Sequence, residues 1–151
     1  MHVPSYITGF IDGEGCFSVS FSQRKKMNLG VEVRPSFSVS QNKRNLSVLK
    51  SMHTYFKCGS IRYSRNDENY KYETRNVDEI IKHIIPHFER HPLKTTKEKD
   101  FEVFKEICML IKSNHHRNSD GITKIINLAY TMNESGKRKY TKEQLLRFVA
   151  R

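Results

Sequence analysis

Two glycines four residues apart inside an apolar run constrain this chain more than any other feature. They lie in Tyr6-Ile7-Thr8-Gly9-Phe10-Ile11-Asp12-Gly13-Glu14-Gly15. Ile7, Phe10 and Ile11 fall at helical spacing, so the run is expected to be a helix. Pro4-Ser5 can open it, with Ser5 as the N-cap residue. Gly9 and Gly13 then share one face. A glycine inside a helix costs about 1 kcal/mol relative to alanine, and this spacing suits close approach of another backbone. Gly15 is expected to end the helix in a left-handed cap. Glu14 would then stand at the helix end, at the edge of whatever packs on the glycine face. A bare helix C-cap can also read Gly-acid-Gly, so the remaining segments have to separate the two.

From Cys16 the period changes to two. Phe17, Val19 and Phe21 alternate with Ser18, Ser20 and Ser22, and Arg24 and Lys26 continue the polar phase, which predicts a strand. Residues 23–30 form a basic turn. In the second strand Val31, Val33, Phe37 and Val39 oppose Glu32, Arg34, Ser36, Ser38 and Ser40, with Pro35 marking a bulge or an edge. Asn45 or Ser47 could cap a helix carrying Leu46, Leu49, Met52, His53 and Phe56, which Gly59 ends. A second hairpin over residues 60–75 turns at Asn66-Asp67-Glu68. Its Ile61, Tyr63, Tyr70, Tyr72 and Thr74 face one way, and Arg62, Ser64, Lys71, Glu73 and Arg75 the other. A helix over 77–87 follows, with Ile80, Ile81, Ile84 and Ile85 apolar.

Helix, hairpin, helix, hairpin, helix is an α+β layering. Four antiparallel strands would be covered by helices on one face and bare on the other. Further on, Phe101, Phe104, Ile107, Cys108 and Ile111 stripe a helix. Asn118 to Asp120 offer caps for another, with Ile122, Ile125, Ile126, Ala129 and Tyr130 apolar. Thr141-Lys142-Glu143-Gln144 is near a capping box. No linker divides the chain, which reads as one domain over 1–151, with a core over about 5–105 and a helical tail over about 106–151.

A net charge of +11 over 151 residues is an electrostatic footprint for a polyanion, most often nucleic acid. The 36% hydrophobic content argues against disorder despite that charge. No apolar run approaches a membrane span. Cys16, Cys58 and Cys108 are odd in number, without a CxxC pair, and are expected as buried thiols in a reducing compartment. His83, His87 and His91 share a four-residue spacing. Pro86 interrupts it, and no cysteine or acid completes a zinc site, so solvated or phosphate-facing histidines are expected. No signal peptide precedes the first motif. The bare sheet face carries serine, arginine, lysine and glutamate, and a β-ribbon of that kind fits the DNA major groove.

Ile7 to Gly15 resembles the LAGLIDADG motif of homing endonucleases position for position, with Phe10 for a leucine, Gly13 for an alanine and Glu14 for the second aspartate. His91-Pro92-Leu93-Lys94-Thr95-Thr96-Lys97-Glu98-Lys99-Asp100-Phe101 is similar to the stretch that closes the family's core. The resemblance spans Tyr6 to Phe104, and the remainder is similar to the helical tails of single-motif members. It implies an αββαββα core with a saddle-shaped, four-stranded antiparallel sheet, helices on one face and C-terminal helices beyond. No second motif exists; the nearest segment, Gly121 to Asn127, lacks the acids. The resemblance therefore implies a homodimer meeting at Gly9, Phe10 and Gly13, and a near-palindromic double-stranded DNA target.

The implied activity is Mg²⁺-dependent hydrolysis of one phosphodiester per strand, leaving staggered ends and promoting intron mobility. Mn²⁺ is expected to substitute, and Ca²⁺ to support binding without cleavage. By the same resemblance Glu14 and the Gly13 carbonyl are metal ligands, Gln41 is the polar residue of the water pocket and Lys97 its basic residue, with Lys94 as fallback. Some relatives carry an additional arginine where Asn45 stands; either Lys43 or Arg44 replaces it or the pocket runs with less positive charge. Asp12 reads as structural or DNA-proximal. The expected DNA-contacting set is Ser18, Ser20, Ser22, Arg24, Lys26, Glu32, Arg34, Ser36, Ser38, Arg62, Ser64, Lys71, Glu73 and Arg75. Lys137, Arg138 and Lys139 are expected to touch the phosphate backbone. Synthesis in a chloroplast or mitochondrion, from an intron, is implied. Two alternatives remain open, an intron RNA maturase and a catalytically inactive DNA-binding protein of the same fold.

Overall fold

The computed structural model describes residues 2–133 and 137–150. Helix α1 (Val3–Glu14) leads directly into β1 (Gly15–Gln23), which pairs with β2 (Val31–Asn42). A 3-10 turn (Lys43–Asn45) precedes α2 (Leu46–Phe56), then β3 (Ser60–Ser64) and β4 (Asn69–Thr74). A helical rod follows as α3 (Val77–Glu79), a π-turn (Ile80–Ile84) and α4 (Ile85–Arg90). Helices α5 (Lys97–Lys112), α6 (Ser119–Ala129) and α7 (Lys142–Val149) complete the chain. The four strands form one sheet in the order β1-β2-β4-β3, the expected α+β arrangement. The chain forms two compact units, residues 1–17 with 36–98, and residues 18–35 with 99–151.

In the first unit the core is aromatic. Phe17, Phe37, Phe56, Tyr72 and Phe88 are buried and meet largely edge to face, with Phe37 centred 5.8 Å from Phe56 and 5.9 Å from Phe88, the geometry ring quadrupoles favour. Ile7 and Ile11 of α1, Leu49 and Met52 of α2, and Ile80, Ile84 and Ile85 of the rod are buried as well. Register runs Phe37 opposite Thr74 to Asn42 opposite Asn69 between β2 and β4, and Ser60 opposite Glu73 to Ser64 opposite Asn69 between β3 and β4. Arg62, Lys71 and Glu73 therefore share one face, as the period-two reading predicts. Tyr63 lies on edge strand β3 and stays exposed.

Several local expectations change. Helix α1 starts three residues early: His2, not Ser5, is the N-cap, its Nδ1 accepting the Ser5 N–H at 3.2 Å, and Pro4 sits in the first turn. Gly15 is extended, with φ −83° and ψ 167°, not left-handed. The chain enters a strand without a turn there, and a Cβ on Gly15 would lie 2.6 Å from Ile11 Cγ2 and 2.9 Å from the Ile11 carbonyl. Space, not backbone freedom, requires this glycine. Helix α2 ends at Phe56 with Lys57 left-handed (φ 61°), ahead of Gly59. The rod over 77–90 widens at Ile80–Ile84, where the Ile85 N–H reaches back five residues to the Ile80 carbonyl. Pro86 has no N–H to give, and its ring would crowd the carbonyl of residue 82 in a regular helix; a widened turn relieves both.

Cys58 and Cys108 are buried as expected, but Cys16 is exposed at the helix–strand junction, a correction. His87 is a second correction, being only 2% exposed. It links three helices: the Tyr55 hydroxyl is 2.8 Å from Nδ1, and Nε2 is 2.9 Å from Thr8 Oγ1. Thr8 in turn donates to the His91 carbonyl at 2.9 Å. That direction requires Nε2–H to donate to Thr8 and Tyr55 O–H to donate to Nδ1. The neutral imidazole is thus fully satisfied. Burial first, then the neighbouring His91 and Arg90, push its pKa down to about 4.

In the second unit Phe101, Phe104, Ile107 and Cys108 of α5, Ile122, Ile125, Ile126 and Ala129 of α6, and Leu145 and Val149 of α7 are buried, with Val19, Phe21 and Val31 from the hairpin. The capping box at Thr141 and Gln144 forms as read, and Asn118 caps α6 by accepting the Gly121 N–H at 2.8 Å. The hairpin closes through Arg24 N–H to the Gly30 carbonyl at 2.8 Å.

Candidate active site and nucleic-acid face

Helix α1 delivers Glu14, exposed, to its C-terminal end. Gln41, near the end of β2, donates from Nε2 to Glu14 Oε2 at 3.3 Å. Asn45, across the 3-10 turn, donates from Nδ2 to Gln41 Oε1 at 3.0 Å. A relay of two amides thus ends on the carboxylate. Asn45 occupies the N-cap position of α2 but makes no side-chain cap bond there; its Nδ2 is directed to Gln41. Asn42 instead caps the 3-10 turn, accepting the Arg44 N–H.

Lys97 approaches the same helix end. Its Nζ donates to the carbonyls of Ile11 at 2.9 Å and Asp12 at 3.0 Å. The segment that carries it is held by Asp12, whose carboxylate accepts the Lys94 N–H at 2.7 Å, the Thr95 N–H at 3.2 Å and the Thr95 hydroxyl. Partial burial alone would raise the Asp12 pKa; those bonds, with the Lys97 charge, outweigh it and hold the carboxyl below its usual value. Asp12 is therefore structural, the first of the two readings offered for it. Lys94 takes part through its backbone.

Gly9 and Gly13 are open: a Cβ built on either meets nothing within 4 Å. Tyr6 is also exposed, its ring 6.2 Å from that of Phe10. Among the described residues, no three His, Cys, Asp or Glu side chains group closely enough to hold a metal.

On the polar face of the first unit, Glu73 is only 9% exposed and accepts the Ser36 hydroxyl at 2.7 Å. Arg62 Nη2 lies 3.0 Å and Arg75 Nε 3.2 Å from one of its oxygens, and Lys71 Nζ 3.6 Å from the other. Burial pulls the Glu73 pKa upward, and the Ser36 hydrogen bond with the three cations overcomes it, leaving it lowered. Ser36 and Ser38 are buried at 8% and 7%, so neither is open to a groove in this conformation. Ser64 binds Asp67 in the hairpin turn.

In the second unit Glu32 is clamped by Arg24 Nε at 2.7 Å and Arg34 Nε at 3.2 Å. Those two hydrogen bonds lower its pKa. Ser20 is exposed and donates weakly to the Arg34 carbonyl; Ser18 and Ser22 are half-buried and Lys26 is exposed. Arg138 departs from expectation. Its guanidinium donates to the carbonyls of Val19 and Ala129, both at 2.7 Å, and lies 4.5 Å from the centre of the Tyr130 ring. It ties this unit together, with burial lowering its pKa, whereas Lys137 and Lys139 are exposed. The basic loop's Glu134, Ser135 and Gly136 lie outside the described residues.

The profile of the LAGLIDADG endonuclease family matches residues 7–108. This chain belongs to that family. A "Probable intron-encoded endonuclease 2" of Neurospora crassa is 32% identical over 82% of this chain and 26% of its own length. Among solved structures, the homing endonuclease I-TnaI is 35% identical with a TM-score of 0.83, covering 97% of this chain and 95% of that one. The archaeal intron-encoded homing endonuclease I-Vdi141I, complexed with DNA, is 28% identical with a TM-score of 0.90, covering 98% and 94%. The chain spans between about a quarter and a half of the length of the first curated relatives it matches.

Within this LAGLIDADG chain, Glu14, Gln41 and Lys97 do converge on one helix end. Asn45 joins them as a hydrogen-bonding partner, whereas the sequence offers it only as a helix cap and as a departure from the arginine of some relatives. Its position four residues after Gln41, beyond a cap residue, was the available signal. The Asp12 clamp on Lys94 and Thr95 could be read only once the fold closed 82 residues of separation.

Proposed function

We propose that this chain is a site-specific homing endonuclease acting as a homodimer on a long, near-palindromic DNA duplex. The observation that carries the reading is the pairing of an open Gly9–Gly13 face with an exposed acid at its edge. One chain supplies a single carboxylate there; a second copy related by two-fold symmetry would bring another to the same seam. Both compact units would serve one DNA-binding domain.

The donor set fits a hard divalent cation. Glu14 and the Gly13 carbonyl are oxygen ligands, and Mg²⁺ favours few protein oxygens, with phosphate and water filling the remainder. The cation would supply charge neutralisation at the scissile phosphate and a lowered pKa for an attacking water. Gln41, held by Asn45, would orient that water through its amide. Lys97, fixed on the Ile11 and Asp12 carbonyls, would keep positive charge close to the phosphorane-like transition state. Each protomer would cut one strand, leaving staggered ends. Mn²⁺ should substitute, and Ca²⁺ should allow binding without cutting. The intron-encoded relatives support an intron-borne origin, here placed in an organelle.

Selection of cleaved duplexes from a randomised library with Mg²⁺ tests this directly. A recovered palindrome, together with a Glu14→Gln variant that binds it but cuts at least about a thousandfold more slowly, is the expected result. Recovery of nothing, alongside tight binding to intron RNA, would favour the maturase instead. Undiminished cutting by Glu14→Gln would remove that residue from the chemistry.

A further inference from the structure

Glu73 stands where a base-reading acid would be expected, yet its geometry is that of a hub. On one face of the sheet its neighbours are Lys71 two residues before it on β4, Arg62 diagonally across on β3 and Ser36 diagonally across on β2, and Arg75 follows just past the end of β4. The register sets Arg62 directly opposite Lys71, a like-charge pair that on its own destabilises a sheet. Glu79 lines the same pocket as Arg62, Glu73 and Arg75, but Glu73 is the acid within ion-pair distance of all three cations. Glu73 binds all three as well as the Ser36 hydroxyl. The residues directly opposite it on the two flanking strands are Ser38 and Ser60, small enough to let the long chains converge.

Two consequences follow from this packing. Glu73 accepts the Ser36 hydroxyl, lies within ion-pair distance of three cations and is only 9% exposed. Little capacity remains for a cytosine amino group. Arg75, by contrast, spends its Nε on Glu73 and keeps its terminal Nη pair for another acceptor. Arg62 uses one Nη and likewise retains donors. A guanidinium paired by charge at one edge and open at the other suits bidentate recognition of the O6 and N7 of guanine.

We infer that Glu73 is a specificity-determining positioning residue: it reads no base, but holds Arg62 and Arg75 in the register from which they discriminate guanine. The inference rests on the sheet being the DNA-reading surface, as proposed above. Without the hub, the three cations would remain attractive to phosphates but lose their alignment. Affinity and specificity should therefore move in opposite directions.

The test uses the full chain carrying Glu73→Gln, a near-isosteric change that deletes the charge. Binding to the selected target and to random duplex is measured across a salt series, and the library selection is repeated. Random-duplex binding should tighten about three- to tenfold, with a salt slope steeper by about 1. The ratio of specific to random binding should fall by about tenfold or more, with guanine preference blurring at one or two base pairs. Arg75→Met, which leaves Glu73 in place, should lose preference within those same base pairs. An unchanged ratio for Glu73→Gln, or a loss confined to a cytosine, would overturn the inference. So would an Arg75→Met footprint at unrelated positions. Should Glu73→Gln fail to fold, Arg62→Met takes its place, with loss at base pairs adjoining those of Arg75→Met expected and loss elsewhere fatal. If the unmodified protein itself shows no preference among duplexes, the nuclease reading fails, and the hub's role in DNA specificity falls with it.

Discussion

At the scale of single residues, the hydrogen-bond directions around His87 make it a proton-sensitive joint. Its two ring nitrogens are occupied as one donor and one acceptor, so an added proton on Nδ1 would face the Tyr55 hydroxyl hydrogen. The folded-state pKa, about 4, lies below the ordinary 6.5. The unfolded chain therefore binds more protons between those values, and stability rises with pH across that window. The contribution is fully present above about pH 6.5 and lost as pH falls toward 4. It is worth up to about 3 kcal/mol. Urea unfolding at pH 7 and pH 5 should show the loss, and a His87→Gln variant should flatten it. The chain gave little warning of this. Four-residue spacing placed His83, His87 and His91 on one helix side, but only tertiary packing buries His87 against Thr8, 79 residues away.

At the scale of elements, most of the architecture was legible because each element carries a clear period. The strand-forming alternation from Phe17 to Val39 and the stripes of α5 and α6 are local signals that packing reinforces. What eluded the sequence lies at junctions, where long-range contacts choose among several allowed endings. Gly15 is the instructive case. A glycine after a helix suggests a left-handed cap, and nothing local reveals that Ile11 fills the space a Cβ would need. A Gly15→Ala substitution should therefore clash with backbone as well as side chain, despite an ordinary φ. The expected destabilisation is about 1–3 kcal/mol, read as a fall in melting temperature of several degrees, with Glu14 displaced and cleavage reduced. The widened turn at Ile80–Ile84 was hidden for a related reason: the isoleucine pattern alone fits a regular helix, and the effect of Pro86 falls on residues before it. The site was legible as a set of residues, Glu14, Gln41 and Lys97. Its wiring through Asn45 and Asp12 was not, since amide directions and backbone donors leave no trace in composition.

At the scale of the whole molecule, the proposed two-fold assembly makes a prediction of unusual sign. Gly9 meets nothing within its own chain, so Gly9→Leu should not damage the protomer and should favour helix by somewhat under 1 kcal/mol. The same leucine would hold two helices apart. Light scattering should report a dimer for the unmodified protein and a monomer for the variant, and the melting temperature should lose its dependence on protein concentration. A variant that stays a tight dimer would refute assembly along α1.

The lysine seated on the end of α1 has one more effect. Aligned peptide dipoles leave roughly half a negative charge at a helix C-terminus, a poor greeting for phosphates. By covering two carbonyls with an ammonium, Lys97 offsets that partial charge. The Glu14 and Asp12 carboxylates stand at the same end, so what the lysine leaves there is a negative balance that a cation, rather than a bare phosphate, would meet first.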